Sequence, residues 1–305
     1  MSNNNLSQLL KHANQVIVGK EQQINLAFSC LLSKGHLLIE DIPGVGKTTL
    51  AHLLAAITGM HFSRIQFTSD LLPADVLGIS LFEKENNNFR FHKGPIFSQL
   101  VLADELNRAP AKTQSALLEA MEEHQVSIDG ETHLLPNPFF VIATQNPKEQ
   151  MGTFGLPESQ LDRFLMRIKM GYPNRDTERE LLTGRDRREM INEITALITT
   201  EQLIDWQKQV VQVHVSDSLL DYIQDIIDFS RQSGHFTNGL SPRAGLALMH
   251  AAKAWAYIQE RDMVLPEDVK QILAAVVSHR LQRQEDSQVL NEAAVMKIFS
   301  QVAIP

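Results

Sequence analysis

The fold is decided by one stretch, His36-Leu37-Leu38-Ile39-Glu40-Asp41-Ile42-Pro43-Gly44-Val45-Gly46-Lys47-Thr48-Thr49. The apolar run His36–Glu40 predicts a buried β-strand, and Lys47–Thr58 after the glycines predicts a helix. Similar runs alternate up to about residue 173: strands at His61–Phe67, Gln99–Ala103, Phe139–Thr144 and Leu165–Met170, and a helix at Ala111–His124. Strands that alternate with helices indicate an α/β fold, with a mostly parallel sheet between two layers of helices.

The loop Pro43-Gly44-Val45-Gly46-Lys47-Thr48-Thr49 has the composition of a phosphate-binding loop between a strand and a helix. Glycines let backbone N–H groups curl around phosphate oxygens, and the helix points its positive end at the anion. We expect Lys47 to neutralise the β- and γ-phosphates of a nucleotide and Thr48 to ligate Mg²⁺. The general pattern has glycine where this chain has Asp41, and we interpret Gly44 as supplying the missing flexibility.

Two other predicted strands end in polar residues suited to the same site. The run Leu100-Val101-Leu102-Ala103 leads into Asp104 and Glu105, and Phe139–Thr144 leads into Gln145 and Asn146. Ligands of open α/β sheets bind at the carboxyl ends of the strands, so these side chains are expected in one crevice with Lys47. Asp104 is expected to hold Mg²⁺ through its water shell, and Glu105 to orient and deprotonate the attacking water.

Two arginines are expected to complete the phosphate site. Arg163 directly precedes the last predicted strand of the core. Arg243 follows Ser241 and Pro242, which mark a helix start by a capping serine and a first-turn proline. An arginine at a helix N-terminus is unfavourable for the helix dipole but well placed for a phosphate, and we therefore expect Arg243 to converge on the crevice that contains Lys47.

Beyond Tyr172-Pro173 the pattern is helical. Helices are predicted over 201–212, around 219–227, and over 242–260, 266–279 and 288–301. A capping box at Thr177–Glu180 predicts another helix start. We thus expect a nucleotide-binding core over 1–173 and an all-helical domain over 174–305.

Two hairpins interrupt the alternation in the core. Ile79–Phe82 and Phe89–His92 flank a run of asparagines, and Val126–Ile128 and His133–Leu135 flank Asp129-Gly130. Asp-Gly is a strong signal for the type I′ turn of a tight hairpin. Both hairpins are therefore expected as insertions on the α/β core.

Composition limits the function classes. With 36 acidic and 28 basic residues among 305, the formal charge is −8, which disfavours a general nucleic-acid-binding surface. The chain is 43% hydrophobic and 21% charged, a globular balance that excludes extensive disorder. The single cysteine, Cys30, lies in an apolar helical run and is expected to be buried. Neither a signal peptide nor a membrane span is predicted, and a cytoplasmic protein is expected.

The chain resembles the MoxR family of AAA+ ATPases over essentially its whole length. The matching runs are 102–123, which contains Asp104-Glu105-Leu106-Asn107-Arg108, then Ile142-Ala143-Thr144-Gln145-Asn146-Pro147, then Leu156–Phe164. The resemblance implies an AAA+ core with two hairpin insertions and a C-terminal helical lid. It also makes the acid at position 41 familiar, since Glu-Asp-x-Pro-Gly-x-Gly-Lys-Thr occurs in this family.

The resemblance further implies particular roles. Asn146 corresponds to the sensor-one residue, Arg163 to an arginine finger that reaches a neighbouring subunit's nucleotide, and Arg243 to the sensor-two residue of the lid. Ile17-Val18-Gly19 resembles the segment that flanks the adenine. Family members are implied to form ATP- and Mg²⁺-dependent rings, usually hexamers, that mature or activate client proteins, often with a partner that carries a von Willebrand factor A domain.

Three alternative functions are a nucleic-acid motor, a metal-chelatase motor subunit and a GTPase switch. A nucleic-acid motor would need a basic hairpin, but the one at 79–92 has acidic Glu83 and Glu85 beside its basic Lys84, Arg90 and Lys93. A metal-chelatase motor subunit is a near relative within the ring class. A GTPase switch would need an Asn-Lys-x-Asp motif, which the sequence lacks, so adenine is favoured over guanine.

Overall fold

The computed structural model describes residues 3–84, 87–146, 155–285 and 290–304. Several residues named in the sequence predictions lie outside these ranges: Glu85 and Asn86 of the first hairpin, Pro147 after Asn146, and residues 288–289 of the last predicted helix.

The helices and strands follow the predicted alternation. The helices are α1 (Asn3–Val16), α2 (Glu21–Leu32), α3 (Lys47–Thr58), α4 (Pro73–Leu77), α5 (Ala111–Glu123), α6 (Glu158–Leu161), α7 (Arg175–Thr183), α8 (Arg187–Asn192), α9 (Thr200–Gln212), α10 (Asp217–Gln232), α11 (Pro242–Ile258), α12 (Pro266–Val277) and α13 (Glu292–Phe299). The strands are β1 (Leu37–Glu40), β2 (Phe62–Gln66), β3 (Gly78–Glu83), β4 (Asn88–Lys93), β5 (Leu100–Asp104), β6 (Gln125–Ile128), β7 (Glu131–Leu134), β8 (Phe140–Gln145) and β9 (Met166–Ile168).

Five strands form one parallel sheet in the order β2-β5-β8-β1-β9. They are the five apolar runs of the sequence, and the predicted α/β fold is confirmed. The strands β5 and β8 are buried along their whole length, because both faces of a parallel sheet are covered by helices.

Alternation of side chains along the strands divides the apolar residues between two faces. Leu37 and Ile39 of β1 belong to a cluster that includes residues of α1, α2, α3 and the C-terminal helices. Leu38 points to the opposite face, where it joins a smaller cluster with residues of α5 such as Leu117 and Met121. The sheet thus separates two apolar layers, and its carboxyl edge is left for polar residues.

Both predicted hairpins are present and are confirmed. The strands β3 and β4 pair antiparallel, as do β6 and β7. The turn between β6 and β7 has Asp129 and Gly130 at φ 53° and 83°, the positive values that a type I′ turn requires. The first hairpin exposes apolar side chains, among them Phe82 and Phe89, whose rings meet edge to face.

The C-terminal part is helical, as predicted. Side chains of Thr199, Ser216, Ser241 and Asn291 cap α9, α10, α11 and α13. Helix α11 packs against α2 of the first half, and residues of both belong to one apolar cluster. The predicted start at Thr177 is wrong: α7 begins earlier, and Asn174 is its cap, because its Oδ1 accepts from the Thr177 N–H at 2.8 Å.

Cys30 is fully buried in α2, as predicted. Burial raises the pKa of its thiol well above the usual range, so the thiolate is disfavoured. Within the described ranges, no helix combines the length and apolar character needed to cross a membrane.

The buried His36 at the start of β1 makes the stability of the fold dependent on pH. Its Nδ1 accepts from the Val141 N–H at 3.0 Å, and its Nε2 donates to the Met121 carbonyl oxygen at 3.2 Å. Burial lowers the pKa of His36 from 6.5 to about 4, so the folded chain keeps the ring neutral. The unfolded chain takes up this proton below pH 6.5, and its stability relative to the folded chain then increases.

We therefore expect His36 to lower the free energy of unfolding by about 2 kcal/mol between about pH 7 and about pH 5. Urea denaturation of the wild type and of His36→Gln at both pH values measures this, since the variant should lose correspondingly less. A ring carbon NMR shift that reports neutral His36 at the lower pH would be an independent check. Equal losses in the two proteins, with a protonated ring, would contradict the prediction.

Candidate functional site

The loop between β1 and α3 has the backbone of an anion cradle. Gly44 and Gly46 have φ values of 86° and 92°, a left-handed conformation that favours glycine. A Cβ built on either glycine has no neighbour within 4 Å, so the loop opens into free space. Gly46 is the N-cap residue of α3, and the free N–H groups of this helix therefore face the loop. Pro43 is exposed and Val45 is partly buried at the loop's base.

Lys47 is the buried cation of this loop. Its Nζ donates to the Asp41 carbonyl oxygen at 2.5 Å and to Asn146 Oδ1 at 3.4 Å. Burial lowers the pKa of Lys47, while the nearby carboxylates of Asp41, Asp104 and Glu105 act in the opposite direction. Those contacts hold the ammonium at the carboxyl edge of the sheet, where a phosphate could replace a carbonyl oxygen as its acceptor.

The carboxylate of Asp104 is fixed at the end of β5. Its Oδ1 accepts from the Thr144 hydroxyl at 2.6 Å, and its Oδ2 accepts from Arg64 Nη2 at 2.6 Å. Arg64 also lines a cavity of about 300 Å³ together with Thr48 and Thr49. Arg64 thus contacts Asp104 and shares a cavity with Thr48.

Glu105 has a left-handed backbone, with φ 56° and ψ 45°. Such values are uncommon for residues other than glycine and occur often at functional sites. The Glu105 N–H donates to the Thr144 hydroxyl at 2.9 Å, which fixes this conformation. Its carboxylate accepts from Gln66 Nε2 at 3.1 Å, Arg108 Nη1 at 2.8 Å and Asn146 Nδ2 at 3.2 Å.

Asn146 links the phosphate-loop lysine, Lys47, to the acid at the end of β5, Glu105. Its side chain is buried, and it both accepts from Lys47 and donates to Glu105. Its backbone carbonyl accepts from Asn107 Nδ2 at 3.2 Å. The structure therefore brings Lys47, Glu105 and Asn146 into one hydrogen-bonded group, in the crevice where the sequence placed them.

Asp41 does not point its charge at the loop's opening. Its Oδ2 accepts from the Gly171 N–H at 2.6 Å, and its Oδ1 accepts from the Ile42 N–H at 2.8 Å. A carboxylate held by two backbone donors anchors the loop and leaves the glycine N–H groups available. This is a physical reason for an acid at a position where the general pattern has glycine.

The segment Ile17-Val18-Gly19 borders the same region. Lys20, the next residue, donates to the carbonyl oxygens of Gly171 and Tyr172 at 3.1 and 3.0 Å. Gly171 is also the partner of Asp41, so segment 17–19 and the loop are linked through one short stretch of backbone.

The donors fit Mg²⁺ and a nucleoside triphosphate. A threonine hydroxyl and a carboxylate are hard oxygen ligands of the kind that Mg²⁺ prefers, together with water and phosphate oxygens. Asp104 Oδ1 retains a second lone pair beyond its contact with Thr144, whereas Oδ2 accepts from both Nε and Nη2 of Arg64. The glycine cradle, the helix N-terminus and Lys47 provide positive potential for the phosphates.

Four residues of this site were not identified from the sequence: Arg64, Gln66, Arg108 and Thr144. Three of them carried a usable signal. Arg64 and Gln66 lie two residues apart on β2, next to the fully buried β5. In parallel register Gln66 lies opposite Asp104, which places its side chain beside the two acids. Thr144 is a buried polar residue directly after four apolar residues of β8, a pattern that also indicates a specific partner.

Arg163 and Arg243 lie elsewhere. They line a second cavity, of about 260 Å³, with Gly35 and His36 before β1 and Leu165 before β9. These neighbours precede their strands, so the cavity lies at the amino edge of the sheet, opposite Lys47. The expectation that Arg243 converges on the crevice of Lys47 is therefore not met within one chain. Its helix α11 begins beside the end of α5, where Arg243 forms an ion pair with Glu122.

The chain is similar to known proteins along nearly its full length. The profile of the ATPase family associated with various cellular activities (AAA) matches residues 36–166, and that of the AAA lid domain matches residues 229–298. The Bacillus subtilis protein YeaC is 44% identical over 303 residues, which cover 98% of this chain and 95% of YeaC. Chaperone MoxR1 of Mycobacterium tuberculosis is 37% identical over 98% of this chain and 82% of its own.

A solved structure extends the likeness to three dimensions. The crystal structure of a protein from Cytophaga hutchinsonii, assigned as an ATPase, aligns with a TM-score of 0.88 at 35% identity. The alignment covers 100% of this chain and 96% of that one. The α/β core, the lid and the sequence therefore match the same group of proteins.

Proposed function

Since the chain belongs to the MoxR family of AAA+ ATPases, we propose that it hydrolyses ATP with Mg²⁺ to remodel partner proteins. The observation that supports hydrolysis most directly is the side chain of Asn146, which bridges Lys47 and Glu105. This arrangement supports a phosphate-binding role for Lys47 and a general-base role for Glu105, because Asn146 contacts both at the edge of the sheet.

The residues of the site have distinct tasks in this proposal. Lys47 and the N–H groups of the loop and of α3 bind the phosphates, and the segment Ile17-Val18-Gly19 flanks the adenine. Thr48 and Asp104 hold Mg²⁺, which when bound neutralises charge on the phosphates. Glu105 takes the proton of the attacking water, and Asn146 orients that water and the base.

The two arginines act on a neighbouring subunit's nucleotide. Within one chain, Arg163 and Arg243 lie at the amino edge of the sheet, whereas Lys47 lies at the carboxyl edge. A ring, with a hexamer as the expected form, would bring the amino edge of one copy to the carboxyl edge of the next. Hydrolysis then depends on assembly, because the arginines stabilise charge that develops in the transition state.

The remodelling part of the proposal derives from the family. A relative at 37% identity is named a chaperone, and a client protein is the corresponding substrate of this chain. A protein with a von Willebrand factor A domain is the expected partner.

Because the proposed activity consumes ATP, we place the chain in the cytoplasm. The division into a core over 1–173 and a lid over 174–305 belongs to the same proposal.

Two observations guide the choice among motor classes. Arg90 of the first hairpin pairs with Glu83, and Lys93 lies over the Phe97 ring, so these basic residues have local partners. We therefore do not extend the proposal to nucleic acid. Exposed Phe82 and Phe89 in the same hairpin suit contact with protein better than contact with a polyanion.

The mixing behaviour of an Arg163→Ala variant tests this proposal. We expect the variant to fold, to bind ATP normally and to hydrolyse it about 1,000-fold more slowly than the wild type, since an arginine finger contributes on this scale. Addition of Lys47→Ala protein should restore part of the activity, because each Lys47→Ala subunit offers an intact arginine to its neighbour. Phosphate release in the two proteins alone and in mixtures is the measurement.

Arg179→Ala on the exposed face of α7 is the matched control and should leave turnover unchanged. Mixtures that stay inactive at every ratio would contradict an arginine acting between subunits. A fully active Arg163→Ala protein would remove this residue from the mechanism.

A further inference from the structure

Five charged side chains alternate in sign at the amino edge of the sheet, and we call them the arginine cluster. They are Arg163, Glu122, Arg243, Asp162 and Arg280, in the order of their contacts. Glu122 belongs to the last turn of α5, Arg243 to the first turn of α11, and Arg280 follows α12. The cluster thus connects the α/β half of the chain with the helical half.

Glu122 holds two of these arginines at once. Its Oε2 lies 2.8 Å from Arg163 Nη1 in an ion pair, and its Oε1 forms an ion pair with Arg243 Nη2. A carboxylate in the last turn of a helix is unfavourable, because the helix C-terminus is itself negative. The two guanidiniums offset this unfavourable interaction, because each of them carries a positive charge next to the Glu122 carboxylate.

Asp162, the other acid of the cluster, forms its short ion pair with Arg280. Arg280 has only 5% of its side chain exposed, and its Nε donates to Asp162 Oδ1 at 2.7 Å. The distance from Asp162 Oδ2 to Arg243 Nη1 is 4.0 Å, at the limit of an ion pair. Arg163 and Arg243 therefore depend on Glu122 for their direct carboxylate contact.

Both arginines keep donors for a further ligand. The side chains of Arg163 and Arg243 are 29% and 51% exposed, and both line the cavity at this edge. A guanidinium carries five N–H donors. Arg163 contacts Glu122 and the Leu118 carbonyl oxygen through Nη1 alone, and Arg243 contacts Glu122 through Nη2, so donors remain on both arginines. The two positive charges and one negative charge leave a net positive pair that is open to an anion such as a phosphate.

We propose that Glu122 is a positioning residue, which holds Arg163 and Arg243 side by side so that both meet the phosphates of a neighbouring copy. The inference rests on the proposed function, because it assumes that the arginines act between subunits. Two cations that share one carboxylate lie close together without strong repulsion, and preorganisation of this kind lowers the barrier of a reaction that develops negative charge.

Glu122→Gln tests this with little change in shape. Its amide has one acceptor oxygen for two arginines, and its NH₂ group faces a second donor, so one guanidinium loses its contact with an acceptor on residue 122. We expect kcat for ATP to fall about tenfold. The affinity for a non-hydrolysable ATP analogue should stay unchanged, because the variant's own Lys47 lies at the opposite edge of the sheet. Glu122→Asp, which keeps the charge, should retain more activity than Glu122→Gln.

Glu123→Gln is the matched control, since its side chain is the neighbouring acid on the same turn and is exposed. Phosphate release in mixtures with Lys47→Ala protein tests whether the arginine cluster acts on the nucleotide of a neighbouring subunit. The Lys47→Ala subunits carry an intact arginine cluster, and we expect them to raise the turnover of each Glu122→Gln subunit. Circular dichroism and the melting temperature check that all variants are folded.

Three outcomes would overturn the inference: a kcat of Glu122→Gln within twofold of the wild type, a parallel loss of analogue affinity, or no gain in the mixtures. A wild type without ATPase activity, or one that does not need Lys47, would instead refute the proposed function itself. The two failures are therefore distinguishable in one set of proteins.

Discussion

We expect the Lys47→Ala variant to bind ATP about 100-fold more weakly than the wild type, the largest effect of any single change on binding. The ammonium is buried and already oriented by the Asp41 carbonyl oxygen and by Asn146 Oδ1. Its removal takes away the positive charge closest to the phosphates and leaves the neighbouring Asp104 and Glu105 to repel them. Titration with a fluorescent ATP analogue measures the affinity.

Lys208→Ala, at an exposed position of α9, serves as the control for the loss of a lysine and should bind as the wild type does. Lys47→Arg adds a second comparison, because it keeps the charge but not the shape of a single ammonium. Unchanged ATP affinity in folded Lys47→Ala protein would reject the assignment of the loop.

We expect the Glu105→Gln variant to bind ATP with normal affinity and to hydrolyse it at least about 100-fold more slowly. Glutamine keeps the volume of the side chain and can still contact Asn146 or Arg108, but it cannot accept the proton of water. Asp104 and Thr48 are untouched, so Mg²⁺ binding should persist. Single-turnover hydrolysis and analogue titration on the same protein separate the two effects.

Glu119→Gln, exposed on α5, is the control. Full turnover by Glu105→Gln would move the general base to another residue, whereas a parallel loss of binding would indicate a role in nucleotide affinity. Because this variant should stay in its ATP-bound form, it also offers a way to capture the client. A protein with a von Willebrand factor A domain retained with ATP, and not with ADP, is the expected capture.

The sequence was most informative where local pattern and burial agree. The five apolar runs became the five strands of the sheet, and the helix predicted at Lys47–Thr58 has the same bounds in the structure. The positions of Lys47, Asp104, Glu105 and Asn146 followed from one rule, that strands of a parallel sheet end at a common edge. Each of these residues is close in sequence to a strand that fixes its position.

Arg243 was misplaced because its surroundings are set by tertiary packing. Its helix start was identified correctly from Ser241 and Pro242, but the sequence does not say which edge of the sheet that helix approaches. The contact with Glu122 joins residues far apart in the chain and depends on how α11 packs against α2. Local signals give the start of a helix and leave its direction open.

The start of α7 shows a different limit. Both Asn174 and Thr177 can cap a helix, and the pattern at Thr177–Glu180 matched the fuller motif. In the structure Asn174 is the cap, and the buried Thr177 lies inside the helix next to Gly19. Thr177 lies beside a residue that is distant in the sequence, and the local pattern does not reveal such a neighbour.

The apolar cluster shared by α2 and α11 also determines which parts of the chain can exist alone. A fragment that ends at residue 173 would keep all five strands and the phosphate loop, yet it would expose the apolar residues of α2 to water. Exposed apolar surface of this kind weakens folding and promotes association. We therefore expect this fragment to be less stable than the full chain, because the helices that follow residue 173 cover part of its apolar surface.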